Sequence, residues 1–399
     1  MKRSTDRILT THVGSLARPD ELAAILRAKD RGQPYDGGAY TKLVRGAVAD
    51  VVRRQTEAGV DVVTDGEQGK ASFFGYIVER FNGFTRKPAP AGQEGNPRGP
   101  SREYQAFPDY YAWSERIAEW AGGRGGDRNR YGVHVCTGPI GYKGHAAVRT
   151  DVENIELALK GLRHEEVFVP AIAPSYVFKT LTNEFYRTEE EYEQALADAL
   201  GEEYRAIVDA GFVLQVDDPR LVTQYMMTPG LSVADCRKWA EKRVEAINYS
   251  LRGIPREKVR FHTCYSIDVG PRVYDMELKD IVDILLKINA GAYSFEAANP
   301  RHEHEYHVFE QHRPPDGMIL IPGVISHTTN LIEHPDLIAE RITRFANIVG
   351  RENVIAGADC GFAAQAVRFN DTHSSVAWLK FAAMAEGARL ATKQLWGRA

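Results

Sequence analysis

Residues 259–266 read VRFHTCYS and residues 353–361 read NVIAGADCG. Each begins as an apolar, β-branched run suited to a buried strand and closes on side chains that carry chemistry. Side chains two apart on a strand share a face, so His262 and Cys264 point the same way. Seven more runs have this form: ILTTHVGS (8–15), VDVVTDGE (60–67), VHVCTGPI (133–140), EVFVPAIAP (166–174), FVLQVDDP (212–219), AYSFEAAN (292–299) and MILIPGVI (318–325). Near-continuous apolar runs mark strands buried on both faces, which are parallel ones. Amphipathic stretches lie between them, at 41–58, 189–210, 232–252, 278–290, 335–349 and 375–393, with apolar residues three and four apart.

Alternating strands and helices build either a closed barrel or an open, doubly wound sheet. The strand ends decide between them. Ser15, Asp65-Gly66-Glu67, Thr137-Gly138, Asp217-Asp218, His262, Cys264, Glu296 and Asp359-Cys360 all follow their runs. A barrel mouth gathers every C-terminal strand end, whereas an open sheet uses mainly its switch point. The expected fold is therefore an α/β, TIM-type (β/α)8 barrel, one domain over 1–399. Nine runs compete for its eight places. Residues 84–111, rich in Pro, Gly and charge, read as a long excursion between barrel units.

The 399 residues are 43% hydrophobic and 26% charged, which excludes a disordered, collagen-like or coiled-coil chain. Lys and Arg total 50 against 54 acids, a net charge of -4 that offers no electrostatic attraction to nucleic acid or an anionic membrane. Small molecules are the expected partners. No run resembles a signal peptide or reaches the ~18–20 apolar residues of a membrane span. Cys136, Cys236, Cys264 and Cys360 are scattered, not arranged as a disulfide framework. These features imply a cytoplasmic protein with free thiols.

Free thiols also ligate metals. His262 and Cys264 form a zinc-type pair, and Glu296 and Cys360, on later strand ends, add a carboxylate and a second thiolate acceptable to zinc. Most free cysteines are small buried fillers. Four candidate ligands gathered where strand ends meet weigh against that reading here. The His-rich stretch from Arg301 to His307, with His312 beyond, reads as a solvated or substrate-covering segment, not a second metal site.

The strings VGSLARP (13–19), DVVTDGE (61–67), CTGPIG (136–141), LQVDDP (214–219), HTCYS (262–266), SFEAANPRH (294–302) and ADCGF (358–362) carry a resemblance. In this order, the chain resembles the catalytic C-terminal barrel of the cobalamin-independent methionine synthase family from about residue 8 to about residue 365. The resemblance implies a Zn2+ ion held by His262, Cys264, Glu296 and Cys360. It also implies a homocysteine pocket made by the Gly14-Ser15 turn, Glu67 and Asp217. An alkyl thiol is mostly protonated at neutral pH, with a pKa of about 8.5; zinc coordination deprotonates it and leaves a nucleophile. Glu296 is the ligand expected to yield, since oxygen matches a soft site least well. In the family the thiolate takes the N5-methyl group of a folate.

Two carboxylates suit the ammonium of homocysteine, and the Gly14-Ser15 turn offers N–H groups to its carboxylate. The resemblance implies a proton-handling role for His327, which stands one residue out of step with the family pattern and follows Ser326 where an Asp is usual. His12 is expected to support the turn or touch substrate. The chain is too short for the second, folate-holding barrel of the two-domain synthases, so the methyl donor is a methyltetrahydrofolate or a corrinoid protein. GAYSFEAANPRHEHE (291–305), LIPGVISHTTN (320–330) and VIAGADCGF (354–362) look closer to the single-barrel branch that includes epoxyalkane:coenzyme M transferase. There a zinc thiolate opens an epoxide. Methyl transfer to homocysteine is the leading expectation. The readings from other classes are a non-catalytic zinc-stabilised barrel and a metal-free, decarboxylase-type barrel.

Overall fold

The computed structural model describes residues 1–88, 101–120, 133–265, 270–366 and 372–397. Eight strands form one parallel sheet: β1 (Leu9–Thr10), β2 (Val62–Val63), β3 (Glu166–Ile172), β4 (Val213–Asp217), β5 (Val259–His262), β6 (Ala292–Phe295), β7 (Ile319–Ile325) and β8 (Ile355–Ala358). They pair in the order β1-β8-β7-β6-β5-β4-β3-β2, so the chain ends of the sheet return to each other. The strands are buried almost throughout, which explains their continuous apolar runs. This is the expected (β/α)8 barrel.

Helices clothe it where the sequence periodicity puts them. The helix Glu189–Asp209 opens on Thr188, whose side chain accepts from the Glu191 N–H, and has three glutamates in its first turn, where the helix dipole favours them. It buries Leu196, Leu200, Tyr204 and Ile207 against the sheet. The helix Val233–Ser250 starts with a reciprocal capping box between Ser232 and Asp235. The stretch 278–290 differs from expectation. It forms a 3-10 turn at Leu278–Asp280 and a single α-turn at Val282–Leu285, separated by Ile281 at φ −139°. Leu278, Ile281, Val282, Ile284, Leu285 and Ile288 are all buried, while Lys279, Asp283 and Lys287 face outward. None of the described helices is long and apolar enough to cross a membrane.

The ninth strand-like run lies outside the barrel. Val133–Cys136 pairs antiparallel with Phe84–Lys87 and parallel with Thr182–Asn183, making a small three-stranded sheet. The excursion expected at 84–111 therefore begins as a strand, and it ends in the helices Arg102–Ala106 and Pro108–Trp120. Its residues 89–100 lie outside the described residues.

Beneath the mouth the barrel interior is polar. The Arg260 guanidinium stacks over Phe168 at 3.9 Å and donates to Thr11 Oγ1 (3.0 Å) and to the His12 carbonyl (2.6 Å). Arg260, His262 and Cys264 thus rise in one column from the interior to the mouth. The barrel closes between β1 and β2 largely through one side chain. The Asp61 N–H donates to the Thr10 carbonyl (3.1 Å), while Asp61 Oδ2 accepts from the Thr10 N–H (2.9 Å) and the Arg7 guanidinium clasps both carboxylate oxygens. Asp61→Ala leaves the Thr10 N–H without its acceptor and Arg7 without its counter-charge. We expect a loss of about 1–3 kcal/mol in urea unfolding, whereas the exposed-pair variant Asp50→Ala stays within about 0.5 kcal/mol of wild type.

Candidate metal and thiol site

The side chains at the barrel mouth are best read from β5 outward. His262 ends that strand, and its Nδ1 faces Ser294 Oγ at 3.1 Å. With Nδ1–H donated there, the Nε2 lone pair is left without a hydrogen-bond partner among the described residues, although the ring is buried. Burial, with the Arg260 charge behind it, pushes the imidazole down to about 3, so it stays neutral. Two residues on, Cys264 Sγ lies 3.1 Å from Cys360 Sγ, both thiols free and buried. The ligand atoms of His262, Cys264 and Cys360 fall within 4.8 Å of one another.

The Cys360 thiol is held well above its ordinary range by its hydrogen bond to Cys264, by burial and by nearby negative charge. A neutral nitrogen with nothing to bond and two thiols that cannot both ionise unaided form a set that a soft divalent cation completes. The donors fit zinc.

The fourth expected ligand, Glu296, is not one of that trio, but its charge acts on the Cys360 thiol. Glu296 Oε1 accepts from the Tyr265 N–H (2.8 Å), while Oε2 accepts from Arg272 Nη2 (2.9 Å) and Asn299 Nδ2 (2.8 Å). Arg272 also binds Asp275 Oδ2 at 2.9 Å and holds φ at +55°, which is rare outside glycine. Nothing in its sequence context singled out this arginine. Asp359, noted beside Cys360 only as a polar strand end, had no role assigned to it. Its Oδ1 accepts from the Ala297 and Ala298 N–H groups, both at 2.8 Å, and its Oδ2 from Asn299 at 3.1 Å.

The organic pocket is expected on the β1 and β2 side. Gly14 has φ +137°, and a Cβ there would meet Pro170 at 3.1 Å, so the turn requires glycine. Ser15 abuts the Cys360 loop: its carbonyl accepts from the Phe362 N–H (3.1 Å), and a Cβ on Gly361 would overlap Ser15 Oγ. His12 supports this turn. Its Nδ1 accepts from the Gly14 N–H (3.2 Å) and its Nε2 faces Gln55 Oε1 (2.8 Å), so both ring nitrogens are engaged within the protein.

Glu67 also has a left-handed backbone, φ +56°, and its buried Oε2 lacks a hydrogen bond; the nearest cation is Arg18 Nη2 at 3.9 Å. Strain of this kind gathers at functional sites. Asp217 is held well above the usual carboxylate range by burial and then by the Glu67 charge, which places the two acids within electrostatic reach of each other. Lys70, missed in the sequence although it follows Glu67 by three, is buried with its ammonium donating to the Pro170 carbonyl (2.7 Å). Its charge acts on Glu67, Asp65 and Asp217.

His327 is buried at the same end, and its charge acts on both His262 and Asp359. Its carbonyl accepts from Thr372 Oγ1 at 2.7 Å. His302, in the His-rich stretch, is neither solvated nor grouped with a metal-competent trio. It lies buried between Asp275 Oδ2 (3.0 Å) and Glu305 Oε2 (2.7 Å), stacked on Tyr265 with ring centroids 3.8 Å apart. The solvated reading fails at this residue because two carboxylates satisfy its charge in the interior.

Comparisons with known proteins identify the family and the fold. The family model described as "Cobalamin-independent synthase, Catalytic domain" matches residues 8–90 and 174–384. The chain belongs to the cobalamin-independent methionine synthase family. The unmatched interval contains the strand Val133–Cys136 of the small side sheet. A methionine synthase of Saccharolobus islandicus is 24% identical over 388 residues, covering 97% of this chain and 95% of that protein. One from Thermococcus kodakarensis is 21% identical, covering 97% and 94%. Among solved structures, a B12-independent methionine synthase from Shewanella sp. W3-18-1 superposes with a TM-score of 0.72 at 18% identity, covering 98% of this chain and all of that one. That likeness shows the fold.

The buried histidines act on stability in opposite directions. Burial opposes the charge on His302, but its hydrogen bonds to Asp275 and Glu305 overcome this and carry it up to about 9, above the ordinary 6.5. Its contribution is complete below about pH 6.5 and is lost as pH rises through 9. His12 and His262 are pushed down by burial to about 4 and 3, so theirs is complete above 6.5 and lost as pH falls through those values. In metal-free protein, thermal melting is expected to decline from pH 6.5 to 9.5, and His302→Gln to flatten that decline. An unchanged slope in the variant would contradict the assignment.

Proposed function

We propose that the protein is a zinc-dependent methyltransferase that places a methyl group on the sulfur of homocysteine. The proposed donor is a methyltetrahydrofolate or a corrinoid protein. The observation that supports this most directly is the trio of His262 Nε2, without a hydrogen-bond partner, and the touching Cys264 and Cys360 thiols at the mouth of a barrel of this family. When bound there, zinc supplies the Lewis acidity that converts an incoming thiol to its nucleophilic thiolate at neutral pH.

The chain's own residues do the rest. Ser294 fixes the His262 tautomer, and Asp359 orients the end of β8 that carries Cys360. Glu296 is the proposed displaceable fourth ligand. Glu67 and Asp217 receive the substrate ammonium, and the N–H groups of the Gly14-Ser15 turn receive its carboxylate. His327, at the same end, handles a proton. One barrel domain over 1–399 contains all of these groups.

Lys70 supports a second reading. Its buried ammonium already lies within electrostatic reach of Glu67 and Asp217, where homocysteine would place its own. A thiol without an ammonium, such as coenzyme M reacting with an epoxide, needs no partner there.

Cobalt-substituted protein tests both readings. Sulfur-to-cobalt charge-transfer bands that grow with homocysteine support the first, and bands that respond to coenzyme M alone support the second. Cys360→Ser is expected to hold sub-stoichiometric metal and to lose turnover. A variant that retains full metal and activity would refute the ligand assignment. Glu67→Gln separates the substrates: we expect KM for homocysteine to rise about tenfold or more, with a smaller change in kcat.

A further inference from the structure

Around the turn after β1 and the ends of β2 and β4, the barrel mouth buries six charged side chains. Asp65, Glu67 and Asp217 stand against Arg18, Lys70 and Arg260, so their formal charges cancel. The acids that act on this set from further out are already matched. Asp151, which acts on Asp65, pairs with Arg80, and Glu166, which acts on Arg260, lies 3.7 Å from the Met1 ammonium.

The three cations direct their hydrogen bonds to other groups than these carboxylates. Arg18 donates to the carbonyls of Leu16 (3.0 Å), Glu67 (2.7 Å) and Lys70 (2.9 Å), and Arg260 to Thr11 and the His12 carbonyl. Lys70 is the clearest case. Its Nζ donates to the Pro170 carbonyl at 2.7 Å and lies 4.2 Å from the centroid of the Tyr76 ring. A carbonyl and an aromatic face hold an ammonium but leave its charge in place. Pro170 also braces the Gly14 turn, where a Cβ would meet its ring at 3.1 Å, so one residue positions both Lys70 and the turn.

Lys70 therefore acts on Asp65, Glu67 and Asp217 through space, while Glu67 Oε2, although buried, has no hydrogen-bond partner among the described residues. No cation has to leave this oxygen for a ligand ammonium to reach it. An unmatched unit charge is costly in a buried site. A pocket whose charges cancel best takes a ligand whose own charges cancel, with its ammonium on the acids and its carboxylate on the Gly14-Ser15 N–H groups. We propose that Lys70 is a specificity-determining residue, which sets the charge of the amino pocket without occupying it and so selects a zwitterionic thiol over a purely cationic or purely anionic one. The proposal rests on the homocysteine reading above and names the residue that enforces it.

The test compares three thiols by calorimetric titration of zinc-loaded, full-length protein, which needs no methyl donor. Homocysteine carries both charges, its decarboxylated analogue aminopropanethiol only the ammonium, and its deaminated analogue mercaptobutanoate only the carboxylate. Wild-type protein is expected to bind homocysteine about tenfold or more tighter than either analogue. Lys70→Met removes the positive charge. It is expected to shift affinity relative to homocysteine about tenfold toward aminopropanethiol and about tenfold away from mercaptobutanoate. Lys70→Arg keeps the charge and should keep the wild-type ratios. A merely structural lysine would weaken all three thiols together and leave the ratios unmoved.

The proposal is overturned if Lys70→Met leaves both ratios at their wild-type values, or if Lys70→Arg shifts them as Lys70→Met does. Should Lys70→Met not fold, Lys70→Gln, which keeps a donor for the Pro170 carbonyl, decides between the same outcomes. Wild-type protein that binds mercaptobutanoate more tightly than homocysteine overturns the homocysteine reading and this proposal together, because Lys70 then takes the place of the ligand ammonium. A wild-type preference for homocysteine with unmoved ratios in the variants removes the Lys70 assignment alone.

Discussion

The Asp359 carboxylate, fully buried at the end of β8, accepts hydrogen bonds from the Ala297 and Ala298 N–H groups and from the Asn299 side chain. This carboxylate ties the loop carrying Cys360 to the turn after β6. Because Asn299 also donates to Glu296, the same carboxylate sets where one sulfur donor and the carboxylate beside it can lie. Burial raises the free-energy cost of leaving any of these groups unpaired, so the arrangement tolerates little drift. The rest of the mouth is built on that anchor: Ser15 packs against the Cys360 loop, and His12 holds the turn that carries Ser15.

Much of the fold was legible because parallel strands and their covering helices leave periodic signatures. The column Arg260, His262, Cys264 follows from the two-residue strand period alone, although only its last two members were recognised as carrying chemistry. What stayed hidden depends on contacts between distant segments. Val133–Cys136 has the composition of a barrel strand, and only its pairing with Phe84–Lys87 shows that it lies outside. The amphipathic pattern of 278–290 marked a helix covering the sheet, yet could not reveal that Ile281 divides it.

In the site the division is similar. Motif strings pointed to His262, Cys264 and Cys360, which the structure brings together, because they stand at or just past the ends of β5 and β8. The position of Glu296 could not be read this way, since it depends on Arg272, an arginine with a positive φ that no local pattern announces. The His-rich stretch misled for another reason: several histidines in a row suggested solvent or substrate, while His302 is satisfied by Glu305, three residues on in the same stretch, and by Asp275 from a separate loop.

The two sides of the barrel are not built alike. Strands β3 to β7 pair over long registers, whereas β1 and β2 are two residues each and meet through the Asp61 side chain. His262 and Cys264 rise from the well-laddered half. The Gly14-Ser15 turn and Glu67 flank the seam. Stiffness is thus concentrated under part of the inorganic site and compliance beside the organic one. Lineages built on this plan have room to exchange one thiol or donor for another by altering the forgiving wall, while the ligand set on the rigid wall stays as it is.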